Sequence, residues 1–266
     1  MRFLATLLFL ALLVFGVWSF QAAESFGAWL PPHVSSFGAE IDFLFNLILW
    51  MVAFFFVLTE GVLVYCIWRF SKKDPSKALF SHGSHKLEML WTAIPAVLLL
   101  VIAFAQMSAW ANMRFESKLP DGEPIAIAWA SQFDWRFQYP GADGEFGTMD
   151  DFESAYEFVV PVGEPVKFIL RSRDVIHSFS VPQFRLKQDA MPGMAIPVWF
   201  KVEDPDNDGD GVGDGDNAGD YELICMELCG WGHYKMAGMV RALPRDEYDA
   251  WVLDQQAHFM SNGIEE

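Results

Sequence analysis

Four side chains with metal-binding chemistry lie within twelve positions near the carboxyl end of the sequence. They are Cys225, Cys229, His233 and Met236. Thiolates, imidazoles and thioethers are soft ligands that favour copper or zinc over magnesium or calcium. Upstream, His177 offers a second imidazole. A turn between two strands would aim these side chains at one point, so the sequence predicts a soft-metal site.

Other interpretations of the same residues stay open at this point. Cys225 and Cys229 are compatible with a disulfide, two cysteines with two histidines are compatible with zinc, and His177 is compatible with an ordinary structural histidine. Neither a disulfide nor zinc explains the thioether of Met236, and a mononuclear blue-copper site needs one cysteine only. Two thiolates can instead bridge two copper ions. An electron shared by two metals changes each bond length little, which favours electron transfer over conversion of a substrate.

The part of the chain that must position these ligands has a β pattern. After Pro120, short alternating apolar stretches are separated by glycine and proline, which is typical of an all-β sandwich or barrel. We predict strands at 125–129, 135–139, 156–160, 166–170, 196–202 and 236–243. A short terminal helix is predicted at 245–256, because its start is acidic and its apolar residues recur at helical spacing.

Apolar segments precede this β region. Residues 1–23 have a basic start and an apolar run typical of a secretory signal, with an uncleaved membrane helix as the alternative. Residues 24–112 are predicted to form a transmembrane hairpin with helices at about 41–69 and 87–111. The loop between these helices contains four lysines, Lys72, Lys73, Lys77 and Lys86. The positive-inside rule therefore places the loop in the cytoplasm and the domain at 113–266 in the periplasm of a bacterium.

The net charge is confined to the part of the chain after the hairpin. The sequence has 35 acidic and 18 basic residues, a net charge of −17, and 29 of the acids and 12 of the bases follow position 111. This balance excludes a nucleic-acid binder, which needs a basic surface, and it favours a partner with a basic surface. An apolar fraction of 53% excludes a disordered chain.

The motif Cys225-x-Glu227-x-Cys229-x₃-His233-x₂-Met236, with Asp174-Val-x-His177-Ser upstream, resembles subunit II of haem–copper cytochrome c oxidases. The similarity runs from about residue 41 to 252. It implies a membrane-anchored all-β fold, in which a two-helix transmembrane hairpin precedes a cupredoxin-like Greek-key β-barrel. It also implies a dinuclear copper centre, CuA. The implied ligands are His177, Cys225, the Glu227 carbonyl, Cys229, His233 and Met236.

The resemblance assigns roles to further residues. It implies that the Glu227 side chain helps to bind magnesium or manganese at the contact with subunit I. Glu88 corresponds to an acid at the mouth of a proton path, although it also suits the positive end of a helix dipole. Phe133 replaces a tryptophan at the point where electrons enter, with Trp135 in the same aromatic segment, and Asp174 corresponds to an acid that docks the electron donor.

The function implied by the resemblance is electron transfer in a respiratory oxidase. CuA would accept electrons from cytochrome c and pass them to a haem in subunit I, which reduces oxygen to water with proton pumping. The implied location is the bacterial inner membrane, with subunit I and further oxidase subunits as partners. The alternatives are a membrane-anchored copper chaperone or thiol-redox protein, a quinol oxidase subunit II, which lacks copper, and a nitrous-oxide reductase domain.

An acidic insertion at 204–220 stands apart from this motif. Its aspartates Asp206, Asp208, Asp210 and Asp214 follow the pattern D-x-D-x-D-G-x-x-D. Alternating carboxylates between glycines suit a hard cation, so the pattern predicts calcium binding. Position twelve is Asn217 and not the glutamate of an EF-hand, so the pattern is closer to thrombospondin and dockerin loops. The alternative is a solvated acidic flap that steers a basic partner.

Overall fold

A computed structural model of the chain describes residues 2–70, 80–203 and 217–262. The chain divides into two compact units. The first unit contains residues 1–30 and 42–108, and the second contains residues 31–41 and 109–266. The four aspartates predicted to bind calcium lie outside the described residues, as do Lys72, Lys73 and Lys77 of the predicted cytoplasmic loop.

Long apolar helices form the first part of the chain. They are α1 (Arg2–Ala22), α2 (Gly38–Phe70) and α3 (His85–Ala105), followed by the short α4 (Met107–Arg114). Three helical stretches, Phe3–Ala22, Gly38–Phe70 and His85–Arg114, are long and apolar enough to cross a membrane. Large apolar side chains such as Trp50 and Leu99 are exposed along them. Exposing such an apolar surface to water is unfavourable, whereas contact with lipid is favourable. The exposed apolar side chains therefore support the predicted membrane anchor.

The predicted second hairpin helix, 87–111, differs in detail from the structure. It is divided into α3 and α4 by a turn at Gln106. Gln106 keeps helical backbone angles and its N–H donates to the Ile102 carbonyl at 3.0 Å, so the interruption is local. Helix α2 extends a few residues beyond the predicted 41–69 at its amino end.

The second unit contains two five-stranded sheets. Their strands are β1 (Ala126–Ser131), β2 (Asp134–Tyr139), β3 (Phe152–Ala155), β4 (Glu157–Pro161), β5 (Pro165–Ser172), β6 (His177–Val181), β7 (Leu186–Ala190), β8 (Ile196–Lys201), β9 (Gly219–Cys225) and β10 (Ala237–Leu243). One sheet has the order β3-β2-β1-β5-β8, and the other has the order β4-β10-β9-β6-β7. The pairs β1/β5 and β4/β10 are parallel, and the other pairs are antiparallel. The predicted membrane-anchored, cupredoxin-like all-β class is confirmed.

Alternation along the strands places one large core between the two sheets. Trp135, Phe137 and Tyr139 of β2 point inward, and their β1 partners are small, since Ala130 pairs with Trp135 and Ala128 pairs with Phe137. Small residues beside large ones let the inner faces interdigitate at the density of a protein interior. The Phe137 ring crosses to the other sheet and stacks on Phe158 of β4, with centroids 4.7 Å apart.

Four strands lie outside the strand ranges that were predicted from the sequence. Strand β6 is buried at every position and lacks the alternation of a half-exposed strand. Strand β7 has the polar sequence Leu-Lys-Gln-Asp-Ala, β3 has four residues, and β9 follows the acidic insertion. The terminal helix α5 (Arg245–Asn262) starts where predicted and continues six residues further.

A tyrosine hydroxyl links the two sheets. Tyr139 of β2 is 1% exposed, and its hydroxyl accepts from the Val159 N–H at 2.8 Å and donates to the Val159 carbonyl at 2.9 Å. Val159 lies in β4, so one side chain satisfies two buried backbone groups of the opposite sheet. Trp251 of α5 packs edge-on against the Tyr139 ring at 5.1 Å.

We expect Tyr139→Phe to lower the free energy of unfolding of the β domain by about 1–3 kcal/mol, because two buried backbone groups lose their partner. Urea unfolding of the full chain in detergent, followed by tryptophan fluorescence, measures the change. Tyr234→Phe is the matched control, since the Tyr234 side chain is 83% exposed and should lose little. Equal stability of the two variants would contradict the role of the Tyr139 hydroxyl.

Candidate metal centre

Three connections between strands meet at one end of the β domain. The β1–β2 turn contributes Gln132 and Phe133, and the β5–β6 turn contributes Asp174. The long β9–β10 connection contributes the predicted ligands from Cys229 to Met236. Cys225 is the last residue of β9 and His177 is the first residue of β6. Rigid strands therefore fix two of the predicted ligands, and the connections carry the others.

The predicted ligand atoms converge. The Sγ atoms of Cys225 and Cys229 are 3.9 Å apart, well beyond a disulfide bond of about 2.0 Å, and both cysteines are free. His177 Nδ1 lies 4.0 Å from Cys225 Sγ, whereas His233 Nδ1 lies 3.7 Å from Cys229 Sγ. Each imidazole is thus beside a different sulfur.

Two weaker donors complete the cluster. Met236 Sδ lies 3.7 Å from Cys229 Sγ, and the Cys225 thiol donates to the Glu227 carbonyl at 3.2 Å. Among the described residues, His177, Cys225 and Cys229 form a group whose ligand atoms all lie within 4.8 Å of one another, and this group does not include His233. A single tetrahedral zinc ion would need all four strong donors around one point.

Burial and hydrogen bonds give the two thiols different pKa values. Cys225 is 6% exposed and Cys229 is 4% exposed. Burial acts to raise the pKa of Cys225, but hydrogen bonds from His177 and the Ser178 backbone outweigh it and lower this pKa to about 6. Burial and the neighbouring Cys225 charge raise the pKa of Cys229 to about 11. The protein thus readily holds one thiolate here and resists a second.

A carboxylate orients the first histidine. His177 is completely buried, and its Nε2 lies 2.7 Å from Asp174 Oδ1, which leaves Nδ1 toward Cys225. Burial acts to lower the pKa of His177, yet the hydrogen bonds with Cys225 and Asp174 raise it overall. Asp174 Oδ2 also accepts from the Gln132 N–H at 2.7 Å. Such a carboxylate–imidazole pair fixes the tautomer and ring angle of a metal-binding histidine.

Gln132 and Phe133 hold the loop that carries Cys229 and His233. The Gln132 side-chain amide donates to the Cys229 carbonyl. The Phe133 ring lies on the backbone of Gly232, where an added Cβ would be 2.5 Å from the ring. Gln132 was not predicted as a functional residue, and its position beside Phe133 was the signal in the sequence that could have indicated it.

The remaining predicted residues occupy different environments. Trp135 is completely buried, and its ring lies edge-on to the His177 imidazole with centroids 6.3 Å apart. Phe133 is partly buried against the core. The Glu227 side chain is partly exposed. Glu88 lies in the first turn of α3, half exposed, with its Oε2 3.8 Å from His85 Nδ1.

The donor set fits copper. Two sulfurs, two imidazoles, a thioether and one carbonyl are ligands that copper accepts, and the thioether and carbonyl are typical of weak axial positions. Four members of the cluster, Cys225, Cys229, His177 and Met236, are buried in the core, whereas His233 is partly exposed. These residues would hold the metal, with Asp174 and Gln132 supporting them from behind.

Known proteins of one family are similar to this chain. Residues 23–108 match the family described as cytochrome c oxidase subunit II, transmembrane domain, and residues 131–243 match its periplasmic domain. The chain is 30% identical to an alternative cytochrome c oxidase subunit 2 of Bradyrhizobium diazoefficiens over 253 residues, which cover 87% of this chain and 85% of that protein. It is 28% identical to cytochrome c oxidase subunit 2 of Synechocystis over 269 residues, which cover 84% and 74% of the two chains.

A solved structure is also similar. The periplasmic domain of subunit II of cytochrome oxidase of Bradyrhizobium japonicum is 27% identical, with a TM-score of 0.42. The similarity covers 53% of this chain and 99% of that domain.

Fold and site together define a membrane-anchored protein with a soluble β domain that contains a cluster of side chains suited to a soft metal. The chain belongs to the cytochrome c oxidase subunit II family and is a subunit of an oxidase. The family supports copper as the metal of the cluster and other oxidase subunits as partners.

We expect Gly232→Ala to weaken copper binding by about 1–3 kcal/mol, because its methyl group would overlap the Phe133 ring. Gly232 has a φ of −94°, so backbone strain does not contribute. Competition with a copper chelator measures the affinity. Gly61→Ala in α2 is the control, since an added Cβ there meets nothing within 4 Å. An unchanged affinity in Gly232→Ala would show that Phe133 does not hold the loop.

Proposed function

We propose that this chain is the electron-transfer subunit of a respiratory terminal oxidase and that its β domain holds the dinuclear CuA centre. The observation that carries the proposal is the pairing of each imidazole with a different sulfur, at 4.0 Å for His177 and 3.7 Å for His233. Cys225 and Cys229, whose sulfurs are 3.9 Å apart, would together hold the copper ions, with His177 and His233 each supplying an imidazole beside one of them.

The protein's contribution to electron transfer is rigidity. When bound, the copper pair supplies one-electron redox chemistry. His177 is fixed by Asp174, and Cys225 is fixed by a strand end, so these ligands keep their positions when the charge of the site changes. Burial of His177, Cys225, Cys229 and Met236 limits the access of water to these four proposed ligands. A buried site with fixed ligands is suited to pass electrons and not to bind a substrate.

The proposed partners follow from charge and family. A net charge of −17 attracts a basic one-electron donor, and we propose cytochrome c. The electrons pass to a haem in subunit I, where oxygen is reduced to water with proton pumping. The Glu227 side chain is proposed to bind magnesium or manganese at the contact with subunit I.

The proposed location is the bacterial inner membrane. Residues 1–23 are proposed to be a signal peptide, residues 24–112 the membrane hairpin, and residues 113–266 the periplasmic domain. The supporting observations are the apolar surfaces of α2 and α3 and the acidic balance of the β domain. Calcium binding by the insertion at 204–220 stays a prediction from its sequence pattern.

A copper chaperone or thiol-redox protein is the second candidate. Exchange chemistry needs a thiolate that another protein's sulfur can approach. Cys225 and Cys229 are only 6% and 4% exposed. This burial favours a permanent metal site over thiol exchange.

We expect Cys225→Ser or Cys229→Ser to abolish the dinuclear centre, because a hydroxyl does not supply the bridging thiolate. Met236→Leu should retain both copper ions with a changed potential, since a thioether is a weak axial ligand. Metal analysis and the EPR spectrum of the purified oxidase measure these effects, and Cys66→Ser is the control because Cys66 is exposed on α2. Two copper ions with a wild-type spectrum in both cysteine variants would refute the ligand assignment.

We propose that Glu88 takes part in proton uptake from the cytoplasmic side. Its carboxyl is half exposed in the first turn of α3, which suits a group that exchanges protons with water.

Glu88→Gln should therefore slow oxygen consumption by the assembled oxidase without changing the copper spectrum, because it removes an ionisable group far in sequence from every ligand. Glu123→Gln removes an exposed acid of the β domain and serves as the control. Turnover of Glu88→Gln equal to wild type across the pH range would leave Glu88 with a helix-dipole role only.

A further inference from the structure

An exposed tryptophan projects from the metal-binding loop. Trp231 lies midway between Cys229 and His233 in the sequence, and its side chain is 77% exposed. Burying a large aromatic side chain is normally favourable, so an exposed one beside a functional centre indicates a contact surface. Leu228 and Tyr234 of the same loop are 78% and 83% exposed, so the outer surface of the loop is largely apolar.

The Trp231 ring rests on Phe133. The two rings meet edge to face with centroids 5.3 Å apart. Phe133 in turn lies on the backbone of Gly230 and Gly232, where added Cβ atoms would come within 3.1 and 2.5 Å of its ring. Phe133 therefore fills the space between the core and the loop, and Trp231 is the aromatic group that reaches solvent.

A lysine of the same loop fixes the indole from another side. Lys235 Nζ lies 4.8 Å from the Trp231 ring centroid, within the range of a cation–π contact. A positive charge at this distance opposes formation of a tryptophan radical cation, because the two charges would repel. The indole is thus suited to conduct an electron while it stays in its closed-shell state.

We infer that Trp231 is the group through which electrons enter this chain from its donor, with Phe133 acting as the support of the indole. The inference rests on the proposed function and names the residue of that site which contacts the donor. The donor is a basic cytochrome with an exposed haem edge, since the chain carries a net charge of −17. One electron leaves the reduced haem iron and the oxidised copper centre accepts it. No bond is made or broken, and no proton moves at Trp231.

The covalent path from Trp231 to the metal ligands is short. Only Gly232 separates Trp231 from His233, and Gly230 separates it from Cys229. The other aromatic candidate in the β1–β2 region, Trp135, is completely buried and offers no surface to a donor. The Asp174 carboxylate is directed to His177, Gln132 and the Val175 N–H, so its oxygens already have local donors.

The test uses the assembled oxidase and reduced, basic mitochondrial-type cytochrome c in a stopped-flow instrument at several salt concentrations. In Trp231→Ala, we expect the transfer rate at saturating donor to fall several-fold, and Trp231→Phe should retain more of it. The dissociation constant of oxidised cytochrome c, measured by calorimetry, should rise at least about fivefold in Trp231→Ala. The copper spectrum and the slope of the association rate against salt should stay as in wild type.

Tyr234→Ala is the matched control, because it removes an equally exposed aromatic side chain from the same loop. We expect its rate and affinity to stay close to wild type. The inference is overturned if Trp231→Ala transfers electrons and binds cytochrome c as wild type does, or if Tyr234→Ala loses as much as Trp231→Ala. Failure of the proposed function gives a different result, since cytochrome c would then not reduce the copper centre of the wild-type oxidase at all.

Discussion

Two cysteine sulfurs held 3.9 Å apart in a buried site form the constraint on which the rest of the structure depends. The first thiol ionises readily, with a pKa of about 6, because His177 and a backbone group stabilise its charge against the cost of burial. The second thiol, with a pKa of about 11, keeps its proton because of burial and the charge of the first. Bound cations remove this repulsion, since a coordinated thiol loses its proton outright. A bound metal cation would therefore stabilise the second thiolate, which the protein alone disfavours.

Hydrogen bonds at the two ends of the β9–β10 connection hold the cysteine sulfurs in place. The Cys225 N–H donates to the Met236 carbonyl at 3.1 Å, so the first and last predicted ligands of the loop are hydrogen-bonded to each other. The next residue, Met226, donates its N–H to the Ser178 carbonyl at 3.1 Å, which ties the loop to β6. His177 begins β6, and Phe179 pairs with Cys225. The pairing of β9 with β6 and with β10 thus sets the positions of three proposed ligands, His177, Cys225 and Met236.

The sequence predicts contacts between residues that are close in the chain better than contacts between residues that are far apart in it. Cys225, Cys229, His233 and Met236 are close in the chain, so their chemistry and spacing indicate a shared site. The hydrogen bond from Gln132 to the Cys229 carbonyl joins residues 97 positions apart, and although the position of Gln132 beside Phe133 marks it as a candidate, the local sequence does not indicate its partner. Strands β6 and β7 escaped prediction for a related reason. Strand β6 is completely buried and strand β7 is mostly polar, so neither shows the alternation of apolar and polar residues that identifies a strand. Their strand conformation depends on pairing with distant parts of the chain.

Charge and apolar contact act at different distances on this domain. The net charge of −17 acts over a Debye length of about 8 Å at physiological salt, so it would attract the proposed basic partner before contact. The surface of the metal loop has a different character, with Trp231, Leu228 and Tyr234 exposed and Lys235 over the indole. A carboxylate at this position would hold a basic donor tightly and slow its release, whereas an apolar contact permits close approach with a weak final complex. In the proposed function, separating attraction from contact would let one donor after another deliver a single electron and leave, which repeated turnover of the oxidase requires.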